Sequence, residues 1–386
     1  MVLTELQKKL AIHTLLKPSS KQYIINGYTE FPIDVDITRL KNSIVKGINL
    51  HPLLLSQIAL FNGNFDFYRM PDFSVDEIKF SEAGDMNEEI LKRKEIFNTV
   101  FSFDKNQRLI RVELLKAKIE KECRVYLLLS FHHIVFDSYS GINLLQNVFD
   151  IYTRDQNLAK KCEKLHSEYI KYDDDTLKIL NSGAKSYYEK FRGFTSKNLK
   201  LETNGQIYRN KFYVPYEKYN NLTMRRQSAI TIYNMAVSIQ KHYSRNKIIV
   251  GVPVPNRNSQ NRNIISCLVN VLPVYIDLEL DDVKKSLESI EKQLFANFRY
   301  QNFDFLTNYS TVFPNGNFDF IFTYYPSDYR LENNEFYIDC REVFFQEPQA
   351  KFHTMMRSDL QIITTSEIGE SIINTFEIEM MKGMII

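Results

Sequence analysis

Residues 127–152 read LLLSFHHIVFDSYSGINLLQNVFDIY, and the fold is worked out from them in both directions. The apolar run that opens the stretch has the character of a buried strand. From Ser140 on, Ile142, Leu145, Val148, Phe149 and Tyr152 recur at helical spacing and predict an amphipathic helix. Between strand and helix stand His132, His133 and, four residues after the second, Asp137, in a chain with only seven histidines. Consecutive side chains of a strand point to opposite faces, so both imidazoles cannot meet one reacting atom or metal while the strand persists. One is expected to be structural and the other presented to a cleft. Nothing nearby supplies a further ligand, so no metal site is expected.

A neutral imidazole, with an ordinary pKa of ~6.5, accepts a proton or a hydrogen bond from an attacking amine or alcohol near neutral pH. The residues alone leave several arrangements open. Asp137 can orient the histidine, cap the helix that follows, or pair with an arginine. A Ser-His-Asp hydrolase would use Ser138 or Ser140 as nucleophile, but the GxSxG elbow is missing. Two core histidines satisfied by backbone groups are the plainest alternative.

Upstream, apolar stretches at 109–115 and 124–131 flank the charged segment 116–122 and predict a hairpin. Before it, a helix is expected over 3–16, a strand over 22–31 and a helix near 88–99. Asp36 is placed to cap a helix carrying Ile37, Leu40, Ile44 and Ile48, which His51-Pro52 stops. Downstream, residues 155–183 are polar and include the run Asp173-Asp174-Asp175, so a lobe boundary is placed there, giving lobes 1–172 and 173–386. The second half repeats the texture, with strands at 207–214, 247–254 and 270–279 and helices at 228–243 and 281–299. Strands dominate again from Phe318. The class is α+β.

With 386 residues, 44% hydrophobic and 25% charged, the composition is globular. A net charge of +2 gives no case for nucleic acid. The four cysteines include no CxxC pair, so neither a zinc site nor a disulfide framework is indicated and a reducing compartment is expected. Glu5, Lys8 and Lys9 interrupt any signal-peptide core, and no run approaches the ~20 apolar residues of a membrane span. The expectation is a cytoplasmic protein with no membrane partner. The 28 Phe and 23 Tyr, without Trp, fit the bias of an AT-rich genome better than a stacking platform, because basic tracts do not interleave with the rings.

The stretch SFHHIVFDSYSGINLL resembles the HHxxxDG signature of nonribosomal peptide synthetase condensation domains, members of the chloramphenicol acetyltransferase-like superfamily. Further segments are similar to the family in its own order. They are LTELQKKLAIHTLLKPSSKQYIINGYTEF at the start, NLHPLLLS at 49–56, FSFDKNQRLIRVELL at 101–115, and HSEYIKY and KSYYEKF at 166–172 and 185–191. IIVGVPVPNRN, ISCLVNVLPVYIDL, RYQNFDF and FDFIFTYYPSD continue the series. The chain departs from the pattern in three ways. Ser138 replaces the motif glycine, Leu50 and Leu55 stand where the early signature carries arginines, and the terminal helix is expected to be shortened or lost.

The resemblance implies two chloramphenicol acetyltransferase-like lobes forming a V, with a tunnel between them. It makes His133 the active-site histidine, His132 its neighbour in the catalytic motif pointing inward as scaffold, and Asp137 the loop-shaping carboxylate. Arg257 is the expected partner of Asp137, with Arg111 the alternative. Ser138, Asn270 and Tyr324 are expected to line the tunnel. The implied reaction is amide, less readily ester, formation between a carrier-bound acyl or aminoacyl thioester and an amine, in nonribosomal peptide biosynthesis. No metal or permanent cofactor is implied; the phosphopantetheine arm arrives on a carrier protein acting in trans on a free-standing enzyme, and the amine is free or carrier-bound. A coenzyme A-dependent acyltransferase and a non-catalytic carrier-docking module are the competing expectations.

Overall fold

The computed structural model describes residues 3–61, 63–85, 88–89, 92–93, 97, 99–103, 107–119, 122–154, 174–189, 201, 203, 205–259, 261–280, 282–309, 318–325, 329–332, 337–345 and 349–382. The chain divides into two compact units. The first comprises Met1–Tyr172 with Arg257–Leu268 and Asp328–Glu347; the second comprises Asp173–Asn256, Val269–Ser327 and Pro348–Ile386. Two segments of the expected second lobe, 257–268 and 328–347, are therefore grouped with the N-terminal residues. The reason is pairing: one meets Asp137 through Arg257, and the other supplies strands to the first sheet.

In the first unit, helix α1 (Glu5–Leu16) opens on a capping box between Thr4 and Gln7. Strand β1 (Ile24–Phe31) follows, and then α2 (Ile37–Asn49), whose first turn is capped by the Asp36 carboxylate accepting the Arg39 N–H at 2.9 Å. Strands β2 (Ser56–Phe61) and β3 (Asn64–Arg69) form a separate hairpin. After β4 (Lys79–Asp85), strands β5 (Ile110–Ile119) and β6 (Glu122–His132) pair antiparallel as expected, and α3 (Ser138–Arg154) carries the helical stripe. Strands β11 (Tyr329–Glu332) and β12 (Tyr337–Phe345) complete a six-stranded sheet of order β11-β12-β1-β6-β5-β4. Strand β6 is central and every residue from Val125 to His132 is buried, which accounts for its unbroken apolar run.

The second unit begins with α4 (Asp174–Glu189) and β7 (Tyr208–Tyr213), followed by α5 (Met224–Tyr243), β8 (Lys247–Val254), β9 (Asn270–Asp277) and α6 (Val283–Arg299). Strands β10 (Phe320–Tyr325), β13 (Phe352–Arg357) and β14 (Gln361–Ser366) lead to the final helix, α7 (Glu370–Lys382). The sheet order is β7-β14-β13-β10-β8-β9, and β10 runs parallel to both neighbours. One core joins Met235 and Ile239 of α5, Ile290 of α6 and Phe376 of α7 to Val250, Phe322 and Phe352 of the sheet. A second core gathers Tyr188, Phe303, Phe305 and Phe318 with Ile249 and Tyr275. Gly251 lets these layers close: a Cβ there would lie 2.6 Å from the Phe318 ring and 2.9 Å from Val271.

Of the two expectations for the terminal helix, shortened or lost, loss is corrected by α7, where buried Ile372, Ile373, Phe376 and Met380 form a helical stripe. Segment 166–172 and most of the helix expected near 88–99 lie outside the described residues. Among the described residues, no helix is long and apolar enough to cross a membrane, and no three His, Cys, Asp or Glu are grouped to hold a metal ion.

Candidate active site

Strand β6 ends at His132, and a single 3-10 turn, His133–Val135, connects it toward α3. The backbone is pinned where the strand ends: His132 N–H donates to the Leu109 carbonyl at 3.0 Å and His133 N–H to the Tyr23 carbonyl at 2.8 Å. The two rings then take different partners.

His132 is buried, and both its nitrogens are engaged. Nδ1 accepts the Ile134 N–H at 3.1 Å, so the ring proton sits on Nε2, which faces Thr14 Oγ1 at 3.0 Å. The Thr14 hydroxyl in turn donates to the Leu10 carbonyl at 2.9 Å. Burial first, then the neighbouring His133 and His13, lowers the His132 pKa from 6.5 to about 3. With the rings of Phe101 and Phe103 against it, this imidazole is a neutral brace for the turn. Both of its nitrogens face protein groups, which leaves it none for a substrate.

His133 is only partly buried. Its Nδ1 lies 2.7 Å from the Phe136 carbonyl oxygen, which can only accept, so Nδ1 carries the proton and Nε2 carries the lone pair. Nε2 has no hydrogen-bond partner among the described residues. Burial lowers the His133 pKa below its ordinary value, against the opposing pull of its backbone bonds and of Asp137. The ring is thus neutral near pH 7, with a basic nitrogen available.

Asp137 makes no hydrogen bond to His133 among the described residues. Its Oδ1 accepts the Ser140 N–H and faces the Ser140 hydroxyl, each at 2.8 Å, and so caps α3. The same oxygen accepts an Arg257 Nη2–H at 2.7 Å, while Oδ2 accepts the Leu268 N–H at 3.0 Å. Arg257 spends its other terminal nitrogen, Nη1, on the carbonyls of Asn261, Arg262 and Ile264, the last at 2.7 Å. Its guanidinium lies 5.6 Å from the Tyr139 ring centroid. Of the two roles open to Asp137 besides orienting the histidine, it fills both. Arg111, the alternative partner, grips the Thr99 and Val100 carbonyls at 2.6 and 3.0 Å and stacks over Phe101.

Ser138 is exposed at the first residue of α3, in the same unit as His133. Asn270 and Tyr324 belong to the second unit. The Asn270 amide donates to the Gln301 and Phe303 carbonyls, both at 2.8 Å, and its oxygen accepts the Val271 N–H at 2.9 Å. That residue staples the start of β9 to the turn after α6. Tyr324 is half-buried on β10, and burial raises its pKa, helped by Asp359.

Sequence reasoning gave no role to Gln7 or Cys267. Gln7 Nε2 donates to the Ile134 carbonyl at 2.9 Å and lies 3.3 Å from Ser266 Oγ, tying α1 to the histidine turn. Its only signal was the spacing Thr4-x-x-Gln7, a capping box. Cys267 Sγ lies 3.5 Å from His133 Nδ1, a contact that no local pattern announces.

Comparison with known proteins gives the chain's family and fold. A family model described as Condensation domain matches residues 1–204, more than half of the chain. Gramicidin S synthase 2 of Aneurinibacillus migulanus is 22% identical over 323 residues, covering 78% of this chain and 7% of that protein. The protein of the same name from Brevibacillus brevis gives the same figures. The chain thus spans about 7% of the length of these curated relatives. A variant of the starter condensation domain of rhizomide synthetase RzmA, solved with C8-CoA and Leu-SNAC, superposes with a TM-score of 0.78 at 14% identity, covering 98% of this chain and 93% of that one. The first condensation domain of the calcium-dependent antibiotic synthetase, solved with a substrate analogue, gives 0.76 at 13% identity, with 98% and 94% covered. At such identities the likeness shows the fold, and the α+β, chloramphenicol acetyltransferase-like class expected from sequence is borne out.

Proposed function

The chain belongs to the condensation-domain family, and from that premise we propose that it joins a carrier-bound acyl or aminoacyl thioester to an amine, with His133 as the catalytic residue. The observation that carries this reading is the 2.7 Å bond from His133 Nδ1–H to the Phe136 carbonyl, which leaves Nε2 as the acceptor. The amine nitrogen attacks the thioester carbonyl; the C–N bond forms, the C–S bond breaks, and the amine proton leaves with the sulfur. A thioester is already activated, so the enzyme's task is to hold an unprotonated amine in line with the carbonyl. Nε2 accepts a hydrogen bond from the amine and takes or relays its proton as the tetrahedral centre forms and collapses. Asp137 and Arg257 act at one remove, by holding the loop. In this reading the phosphopantetheine arm is part of the substrate, brought by a carrier protein in trans. Asn270 serves as scaffold, and Ser138 and Tyr324 are the side chains to vary for substrate choice.

The test is product formation from acyl-loaded carrier and amine, followed by mass spectrometry. His133→Ala is expected to lower the rate by about 10²–10⁴-fold; equal yields from wild type and variant would remove His133 from the mechanism. One observation favours a second reading, a coenzyme A-dependent acyltransferase: a structural relative was solved with C8-CoA. Acyl-CoA matching the acyl-carrier in efficiency would select it. Carrier binding without turnover by wild type would select the docking module instead.

A further inference from the structure

Cys267 is 1% exposed, and its sulfur rests 3.5 Å from the nitrogen of His133 that carries the ring proton. Its backbone is held on both sides. Ser266 N–H donates to Ser140 Oγ at 3.1 Å, the Ser266 carbonyl accepts from Arg257 at 3.3 Å, and Leu268 N–H donates to Asp137 Oδ2 at 3.0 Å. The Asp137–Arg257 pair therefore clamps the residues before and after the cysteine and sets the sulfur against the ring. This is a continuous physical path from the carboxylate to an imidazole with which it shares no hydrogen bond.

The chemistry of the atom at the end of that path matters. Burial and Asp137 keep the thiol protonated. A neutral thiol is a weak donor and a weak acceptor. Beside the short Nδ1–H bond to Phe136 it neither draws that proton away nor presses its own on the nitrogen. A hydroxyl in its place is a strong donor. Donating to Nδ1, it would favour the other tautomer, with the ring proton on Nε2 and the outward lone pair gone.

We propose that Cys267 is a positioning residue for His133: a weakly hydrogen-bonding wall, clamped by Asp137 and Arg257, that does not compete with the Phe136 carbonyl for the Nδ1 proton and so leaves the lone pair on Nε2. The consequence for catalysis rests on the condensation reading above, whereas the tautomer itself does not. The experiment therefore has two readouts on the full chain. Nitrogen chemical shifts of ¹⁵N-histidine-labelled protein at neutral pH report which nitrogen is protonated, with the His133 signals identified by their loss in His133→Ala. Wild type is expected to show a protonated Nδ1 and an unprotonated Nε2. Cys267→Ser should move the proton toward Nε2 and lower kcat about tenfold with KM little changed. Cys267→Ala, which adds no donor, should keep the wild-type tautomer and lose less rate than the serine variant. A wild-type ring protonated on Nε2, or a folded serine variant with the wild-type tautomer, overturns the proposal. Equal rate losses in both variants with no tautomer change also overturn it, leaving only packing. Should His133→Ala prove fully active, His133 drops out of the condensation mechanism while the shifts still decide the role of Cys267.

Discussion

At the scale of the residue, the guanidinium of Arg257 and the carboxylate of Asp137 are 4% and 5% exposed and 2.7 Å apart. Removing either partner strands the other charge away from water, which costs about 3–5 kcal/mol. Asp137→Leu should therefore unfold at markedly lower denaturant, and so should Arg257→Met. The pair Asp137→Leu with Arg257→Met should be less destabilised than the sum of the two single changes, because neither charge is left behind. An additive double variant, measured by urea unfolding, would show that the pair is not coupled. The buried histidines make a second prediction. Burial lowers His132 to about 3 and His353 to about 4, from 6.5. Between those values and 6.5 the unfolded chain takes up protons that the native state refuses, so stability is lost as pH falls through that window. Each ring contributes up to about 1.4 kcal/mol per pH unit. The unfolding free energy should drop between pH 7 and pH 5, and His353→Gln should flatten that slope by about one proton. An unchanged slope would take His353 out of the account.

At the scale of the element, the approach of β8 to the ring of Phe318 is set by a missing side chain. Gly251→Ala puts a methyl 2.6 Å from that ring, an overlap that should destabilise by about 1–3 kcal/mol. Phe318→Leu in the same chain should recover part of the loss; no recovery would place the strain elsewhere. Elements such as these were largely legible in the sequence. The stripe Ile37, Leu40, Ile44, Ile48 and the cap at Asp36 state their helix outright, and the strand at Lys247–Val254 ends where it was expected. The histidine motif was legible for the same reason, since strand, turn and helix are local patterns. Cys267 and Gln7 were not, because each matters through a contact more than a hundred residues away in the chain. Asn270 was read as a tunnel side chain because its type fits a motif. Its two donors prove to be consumed by the Gln301 and Phe303 carbonyls, which spacing alone does not reveal.

At the scale of the whole molecule, the first unit is assembled from three pieces of chain. Strand β12 is the antiparallel neighbour of β1, and the 257–268 segment holds Asp137. A fragment of residues 1–172 lacks both. It leaves one side of β1 without its ladder and the Asp137 carboxylate without its cation. Such a fragment is expected to show no cooperative unfolding transition by circular dichroism, while the full chain does. A fragment with a sharp transition of its own would mean that the later segments contribute little to that unit. A contiguous boundary was the natural reading of a polar stretch around residue 173, because a sequence shows where the chain is polar and not where it returns.

That return also has a schedule. A ribosome that has just made residue 172 must add another 173 residues, to Phe345, before strand β12 is complete. At ~5–20 residues per second this takes roughly 10 to 35 s. During that interval the nascent β1 waits with an open edge, and for the first 85 of those residues the histidine turn waits for Arg257. Translation pauses between those points, and chaperones able to shelter an exposed strand on a nascent chain, would therefore bear on the yield of folded protein.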